Sequence, residues 1–590
     1  MRQNNLSIHS ENILPIIKKW LYSDKDIFLR ELVSNACDAL NKIRIIQENS
    51  EKEELKVSIS VDKKKKTIVI ADTGIGMTEE EVEKYIAQIA FSGAEEFVEK
   101  YKSQTDKDPI IGHFGLGFYS SYMVASKVEI DTLSHKPDSK AVLWSCDGSS
   151  SYEIGAGKRE NRGTTITLFI DNESTEYLEE AKLRELLNRH CKFMPYPIDL
   201  DGKAMGNQEP LWLKNPSECT DKEYLAFYRH LFPMDPEPIF WIHLNVDYPF
   251  HLQGILYFPK IHRRFDANES TIQLFCNRVF VSDNCKDILP DYLMILRGAI
   301  DSPDIPLNVS RSYLQVDKNV KQLSSHISKK VADKLNQLYK TDKEKYIEAW
   351  PDVEMIVKLG ILQDEKFYDK TKDVLIWKNT SGNWDPIPES KKIYYSTAEN
   401  SPAIEIYKKK EIDILLATTP IDTAVIQHLE SKLSITFQRV DGALDDNLLD
   451  PSREKTLLDA EGKTEASRMA EFIRKSLTDV EVEAKSLASD EIPGLVVLDE
   501  NQRRLRDYMA LTQGKQGAFP TKKTFVINTN HKLIQAISRL QNTQPEIATS
   551  IAKSVYDLAL LAQREIEPTD LEQIVGRQTK ILEEMASHLK

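Results

Sequence analysis

From Phe28 to Ile43 the apolar residues return with helical spacing. Phe28, Leu32, Ala36, Ala39, Leu40 and Ile43 fall on one side of a helix, as in a segment that packs one face on a core. Arg30, Ser34, Asn41 and Arg44 take the other side and read as its solvated face. Glu31, Asn35 and Asp38, spaced i, i+4 and i+7, lie within about 60° of one another at 3.6 residues per turn. They sit between the apolar and the solvated sides, where a pocket wall would be. Taken alone, a polar triplet at this spacing is more often solvent-facing than functional.

Farther along, the period changes to two. "LKVSISVD" and "TIVIAD" alternate as strands, and Lys63 to Lys66 between them reads as a solvated hairpin tip. "SKVEIDTLS" and "TTITLFI" add strands, and the helix "EEAKLRELLNRHC" closes a first domain, 1–208. "IDLDGKAMGNQEP" has the Asp, Gly and Pro content of a linker. In a middle domain, 209–477, "QGILYFP" and "TIQLFCNRVFVS" lead to a long helix ending near Tyr339. Then "KKIYYS", "AIEIYKKK", "IDILLAT" and "AVIQHLESKL" alternate strand and helix, a small α/β layer.

A last domain, 478–590, is expected to be mainly helical. It ends in "IATSIAKSVYDLALLAQ" and "LEQIVGRQTKILEEMASHL". Ile551, Val555, Leu558, Ala559, Leu561 and Ala562 make one apolar stripe; Leu571, Ile574, Val575, Ile581, Leu582 and Met585 make another. Two helices joined by a short connection cannot bury both stripes on each other. Pairing with the same hairpin of a second copy, in a four-helix bundle, is the expected solution. The fold class is therefore α+β and α/β, in several domains.

Charge narrows the partners. With a net charge of −14 over 590 residues, nucleic acid is not expected as the main partner, since phosphate binding needs a basic surface. No run approaches 18 apolar residues, so no membrane span is expected. Six cysteines without C-x-x-C spacing, and an N-terminus without a signal-like apolar stretch, point to a reducing cytoplasm.

The chemistry lies in two glycine-rich stretches. "IADTGIGMT" ends a strand with Asp72, Gly74 and Gly76; "IGHFGLGFYS" carries Gly112, Gly115 and Gly117. Such loops let backbone N–H groups approach a phosphate. Neither is the dinucleotide G-x-G-x-x-G, and no P-loop occurs. Each alone reads equally well as a pair of turns.

The order of the motifs carries more. Polar-edged helix, strand with Asp-x-Gly-x-Gly, Gly-x-x-Gly-x-Gly, then Gly163-Thr164-Thr165 before a strand resembles the GHKL (Bergerat) α/β sandwich. That superfamily is named for gyrase, heat-shock protein 90, histidine kinases and MutL. "FLRELVSNACDAL", "ADTGIGMT", "GHFGLGFYSSYMV", "LWLKNPSE" and "DSPDIPLNVSRSYLQ" closely resemble the heat-shock protein 90 family, bacterial type, across nearly the whole chain.

That resemblance implies an ATP-dependent chaperone with ATP and Mg²⁺ as cofactors. Unfolded clients, a second copy of the chain and other chaperones are the implied partners. Asn35 matches the Mg²⁺ ligand and Glu31 the residue that orients and deprotonates the attacking water. Asp38 matches a pocket position and Asp72 the adenine reader; Gly74, Gly76, Met77 and Thr164 match its surroundings. Gly112, Gly115, Gly117 and Phe118 fall in the nucleotide-binding set. Arg311 matches a catalytic arginine that reaches the γ-phosphate from the middle domain, with Asn308 and Gln315 in its loop. A lid over about 87–117 is implied too, but "AQIAFSG" departs from the family's "GTIAKSG". Ala87 replaces a hinge glycine, Phe91 a lysine, and Tyr85 a polar residue. "ENQRRLRDYM", with Leu505, Tyr508 and Met509, matches the neighbourhood of a client-touching helix, though core or dimer packing suits it at least as well.

The rival readings are a DNA-directed GHKL ATPase, opposed by charge, and a histidine kinase, which has no room for a phosphoacceptor helix upstream. The third is an ATP-binding scaffold with little hydrolysis, opposed by Glu31 and Arg311.

Overall fold

A computed structural model describes residues 24–46, 54–88, 115–149, 151–206, 209–260, 271–283, 288–305, 318–442, 448–450, 452, 463–477, 480–499, 502, 523–563, 565–566 and 570–587. The chain divides into two compact units, 1–334 and 335–590.

In the first unit, helix α1 (Ile27–Ile46) precedes the hairpin β1 (Val57–Asp62) and β2 (Thr67–Asp72). Lys63 to Lys66 form its exposed tip, and Lys66 takes a left-handed φ of 54°. Helix α2 (Glu79–Tyr85) follows the first glycine loop. Then come β3 (Ala125–Leu133), β4 (Val142–Cys146), β5 (Glu153–Ala156), β6 (Gly163–Ile170), helix α3 (Glu180–His190), β7 (Ile198–Leu200) and β8 (Lys203–Ala204). They make an eight-stranded sheet in the order β5-β4-β3-β6-β2-β1-β7-β8. Phe28, Leu32, Ala36, Leu40 and Ile43 of α1 are buried, the first four in one core cluster with Ile59, Ile68, Val128 and Leu168 of the sheet.

Two expectations need correction. The supposed solvated face of α1 is covered: Arg30, Ser34 and Asn41 are buried, and only Arg44 of that set is exposed. The cause is α3, which packs against α1, and the chain after it. There Tyr196 donates its hydroxyl to Asn41 Oδ1 at 2.7 Å. Nor is the segment starting at Ile198 simply a linker. Ile198 to Leu200 pair in parallel with β1, and β7 and β8 form a small hairpin on the sheet edge.

The unit continues with helix α4 (Asp221–Leu231) and a second sheet, β12-β11-β13-β10-β9. Its strands are β9 (Phe240–Val246), β10 (Leu252–Phe258), β11 (Thr271–Cys276), β12 (Val279–Ser282) and β13 (Arg297–Asp301). Phe193, Trp212, Phe227, Tyr228 and Phe275 form an aromatic cluster beneath it.

Helix α5 (Lys318–Thr341) crosses the division between the units. The second unit has helices α6 (Lys343–Gln363) and α7 (Glu365–Thr371), then the sheet β15-β14-β17-β16-β18. In it β14 (Trp377–Asn379), β15 (Trp384–Asp385), β16 (Lys392–Ser396), helix α8 (Pro402–Lys408), β17 (Leu415–Leu416), helix α9 (Asp422–Leu433) and β18 (Thr436–Arg439) give the alternation expected from the sequence. After α10 (Glu465–Ser476), a three-stranded sheet, β19-β21-β20, stands in a region expected to be mainly helical. Its strands are β19 (Glu481–Lys485), β20 (Gly494–Leu498) and β21 (Lys523–Asn528). Helices α11 (Lys532–Leu540), α12 (Pro545–Gln563) and α13 (Leu571–Ser587) end the chain.

The terminal stripes divide in two. Val555 and Ala559 of α12 and Ile574 of α13 are buried, while Leu558, Leu561, Leu571, Val575, Leu582 and Met585 are exposed, Leu582 by 65%.

Candidate functional site

The site is built along α1. Toward its end, the loop after β2 runs against the helix: Ile75 donates its backbone N–H to the carbonyl of Ala39 at 3.0 Å. A Cβ on Gly74 would lie 2.6 Å from the Cβ of Ala39, so the loop rests directly on the helix. Gly76 has φ 64°, and a Cβ there would fall 1.8 Å from the carbonyl oxygen of Leu133. Only glycine fits. Met77 donates its N–H to Thr132 Oγ1 at 3.0 Å, and that hydroxyl lies 3.0 Å from Thr164 Oγ1. A capping box between Thr78 and Glu81 then starts α2 and fixes where the loop leaves the site.

Asp72 stands opposite Thr164 in the β2–β6 register. It is buried, and its Oδ1 accepts the N–H groups of Gly74 at 2.7 Å and Thr164 at 3.3 Å. Its Oδ2 accepts nothing from the described residues. Burial pushes its carboxyl up to about 6, against the pull of those N–H groups and of Arg159 and Arg162.

Near the start of α1, Glu31 is buried and paired with Arg30. Arg30 Nε and Nη2 donate at 3.1 and 2.9 Å, both to Oε1. Oε2 faces Gly117, where a Cβ would lie 2.6 Å away. The missing side chain keeps the space beside this oxygen open. Gly117 begins a 3-10 turn, Gly117–Met123, anchored by Phe118 in edge contacts with Tyr122 and Trp144. Gly115 just before it has φ 62°.

From Ala39 back to Glu31 is eight residues of helix, about 12 Å at 1.5 Å each. A carboxylate with an oxygen that no described residue occupies at one end and a carboxylate beside a glycine gap at the other suit a ligand with a base and a polyphosphate. Between them Asn35 is half-buried, hydrogen-bonded to no described residue, and Asp38 is buried. The structure therefore brings Glu31, Asn35, Asp38, Asp72, Gly74, Gly76, Met77, Gly115, Gly117, Phe118 and Thr164 around one helix and its flanking loops. Gly112, most of the lid including Phe91, the Asn308–Arg311–Gln315 loop and "ENQRRLRDYM" but for Gln502 lie outside the described residues.

Residues 201–588 match the family described as Hsp90 protein, and residues 24–156 match the histidine kinase-, DNA gyrase B- and HSP90-like ATPase. The chain belongs to the heat-shock protein 90 family. It is 42% identical to chaperone protein htpG of Bacteroides fragilis strain YCH46, over 96% of this chain and 88% of that one. Identity is 40% with chaperone protein HtpG of Porphyromonas gingivalis strain W83, over 97% and 89%. With the mitochondrial TNF receptor-associated protein 1 homolog of Dictyostelium discoideum it is 29%, over 98% and 85%. As a family member the chain is an ATP-dependent chaperone with a GHKL-type ATPase domain. Glu31 through Phe118 fall inside the ATPase match, whereas Thr164 lies beyond it.

Proposed function

We propose that this heat-shock protein 90 chaperone binds ATP along α1 and hydrolyses it to drive an open-to-closed cycle that remodels unfolded client proteins. The observation that carries the reading is that Asp72, with a buried oxygen no described residue occupies, and Glu31, with an oxygen beside Gly117 that no described residue occupies, stand at opposite ends of one stretch of α1. Asp72 Oδ2 accepts the adenine amine, and Met77 packs on the base. Gly115, Gly117 and Phe118 line the phosphate end. Asn35, whose side chain forms no hydrogen bond to a described residue, fits Mg²⁺, which takes few protein oxygens and otherwise water and phosphate. Bound there, the ion would neutralise phosphate charge. Glu31 Oε2 takes a proton from the attacking water as the new P–O bond forms and the bond to the β-phosphate oxygen breaks. A client-refolding assay with and without ATP tests the whole reading, and refolding that ignores ATP would overturn it.

Three domains, 1–208, 209–477 and 478–590, serve this cycle in the cytoplasm. Among the described residues no helix is long and apolar enough to cross a membrane. Arg311, from the middle domain, stabilises charge on the γ-phosphate within one chain. Arg311→Ala is expected to leave the ADP affinity of the full-length chain nearly unchanged and to slow its ATP hydrolysis roughly a hundredfold or more. Turnover measured on the full chain checks this, and an unslowed variant would remove the loop from the mechanism.

Homodimerisation uses the exposed half of the terminal stripes. Deleting the chain after Thr549 would also remove Ala552, Val555 and Ala559 from the last domain's own core, so surface substitutions test the contact more cleanly. Val575→Glu with Leu582→Glu is expected to give monomers by sedimentation, because two charges replace a packed apolar seam. Turnover should fall with it, as two first domains lose their high effective concentration. A variant that stays dimeric would place the contact elsewhere.

A further inference from the structure

The loop Gly157–Arg162, between β5 and β6, carries two arginines to which the nucleotide reading gives no role. Asp131 on β3 shapes this loop, its carboxylate accepting the N–H of Lys158 at 3.2 and 3.1 Å and of Arg159 at 3.4 Å. From there Arg159 Nη2 donates to the carbonyl of Asp72 at 2.9 Å, and Nη1 to Thr165 Oγ1 at 2.5 Å. Arg159 also ties its own loop, through the carbonyls of Asn161 and Arg162, both at 3.1 Å. Arg162 Nη1 donates to the carbonyls of Thr73 and Gly74, the latter at 3.2 Å. Three consecutive carbonyls, Asp72 to Gly74, thus end on two guanidinium groups.

The chain after β2 is held without these contacts. Thr73 is already tied down by its N–H to the carbonyl of Lys56 at 3.3 Å and its hydroxyl to that of Glu54 at 2.9 Å. What the arginines add is direction and charge. Direction matters because holding the peptide units that follow the Asp72 Cα limits where its side chain points. Charge matters because Asp72 is buried, and both guanidinium groups favour its ionised form. Near it from α1 is Cys37, whose thiol burial holds well above its ordinary range. Cys37 supplies no positive charge to the carboxylate. Arg159 is itself half-buried and gives up hydration to sit there.

We propose that Arg159 and Arg162 are positioning residues of the nucleotide site, holding the carbonyls of Asp72, Thr73 and Gly74 so that the Asp72 carboxylate is presented to the base. The inference rests on Asp72 as the base reader. Calorimetric titration of ADP into the full-length chain, from about pH 5 to about pH 8, tests it. Arg162→Met and Arg159→Met are each expected to weaken ADP binding roughly tenfold near pH 6.5. They should also move the midpoint of its pH dependence upward by roughly half a unit or more. Arg162→Lys keeps the charge but not the planar guanidinium whose Nη1 reaches both carbonyls. It is expected to keep the wild-type midpoint with an affinity a few-fold lower. Wild-type affinity and midpoint in the Met variants would overturn the proposal. So would an equal loss at every pH with a lowered melting temperature, which marks a purely structural tie. Should Arg162→Met not fold, Arg159→Met carries the same readout. Asp72→Asn, titrated alongside, separates the two levels. Normal binding by that variant sinks the Asp72 reading, whereas its failure beside silent arginine variants sinks only the proposal.

Discussion

Asp72→Asn is expected to lower ATP affinity roughly a hundredfold or more, enough to abolish binding at ordinary nucleotide concentrations. The carboxylate has one oxygen occupied by the N–H groups of Gly74 and Thr164 and one without a described partner. An amide keeps the first contact only by turning its NH₂ toward the base, where the adenine amine brings a second donor. Two donors facing each other in a buried site leave both unsatisfied, at roughly 1–3 kcal/mol for each lost pairing. The lost charge adds to this, since hydrogen bonds to ionised acceptors are about twice as strong.

The same residue sets a pH dependence. In the free protein the Asp72 carboxyl lies at about 6, above its ordinary 3.8, because burial disfavours the charge. Its contribution to folding stability is therefore fully present below the unfolded value and is lost as pH rises through about 6. Nucleotide, which needs the ionised form, works the other way. Affinity should be level above about pH 7 and fall toward tenfold per unit well below the Asp72 value of about 6. Calorimetry on wild type and Asp72→Asn checks both statements. A variant that binds ATP like the wild type would mean that another group reads the base.

Much of this site was legible because it is local. The i, i+4, i+7 spacing of Glu31, Asn35 and Asp38 follows from helical period alone, and Asp72 ends a strand whose alternation runs from Thr67. The glycines at 74, 76 and 117 could be read as close approaches, but what they approach could not. Ala39, the Leu133 carbonyl and Glu31 lie up to 86 residues away from them in sequence. The burial of Arg30, Ser34 and Asn41 was hidden for the same reason. A helical wheel shows which side is polar, not that α3 and Tyr196, about 150 residues on, will cover it. Ile198 to Leu200 read as linker because three residues carry too little alternation to announce a strand. Their place is set by β1, whose exposed edge they complete. Arg159 and Arg162 left no signal at all, since two arginines in a polar loop look solvated until the carbonyls they bind are known.

Glu31→Gln and Glu31→Ala should both bind ATP within a few-fold of wild type and hydrolyse it roughly 10²–10⁴ times more slowly, the usual worth of a general base. They should part company in stability. Glu31 does two things with two oxygens: Oε1 pairs with Arg30, and Oε2 faces the gap beside Gly117. Arg30 is 1% exposed, and Glu31 is one of the groups its guanidinium meets. Alanine removes the base and the counter-charge together. Taking a carboxylate away from a buried guanidinium is destabilising, so the alanine variant should melt below wild type. Glutamine keeps an oxygen for Arg30 and gives up only the proton acceptor, so its melting point should stay much nearer wild type. Nucleotide titration, single-turnover hydrolysis and thermal melts on the two variants separate these roles. If glutamine hydrolyses ATP at the wild-type rate, Glu31 is a structural partner of Arg30 and the base must be sought elsewhere on α1. If both variants lose binding as much as turnover, Glu31 holds the pocket together rather than activating water.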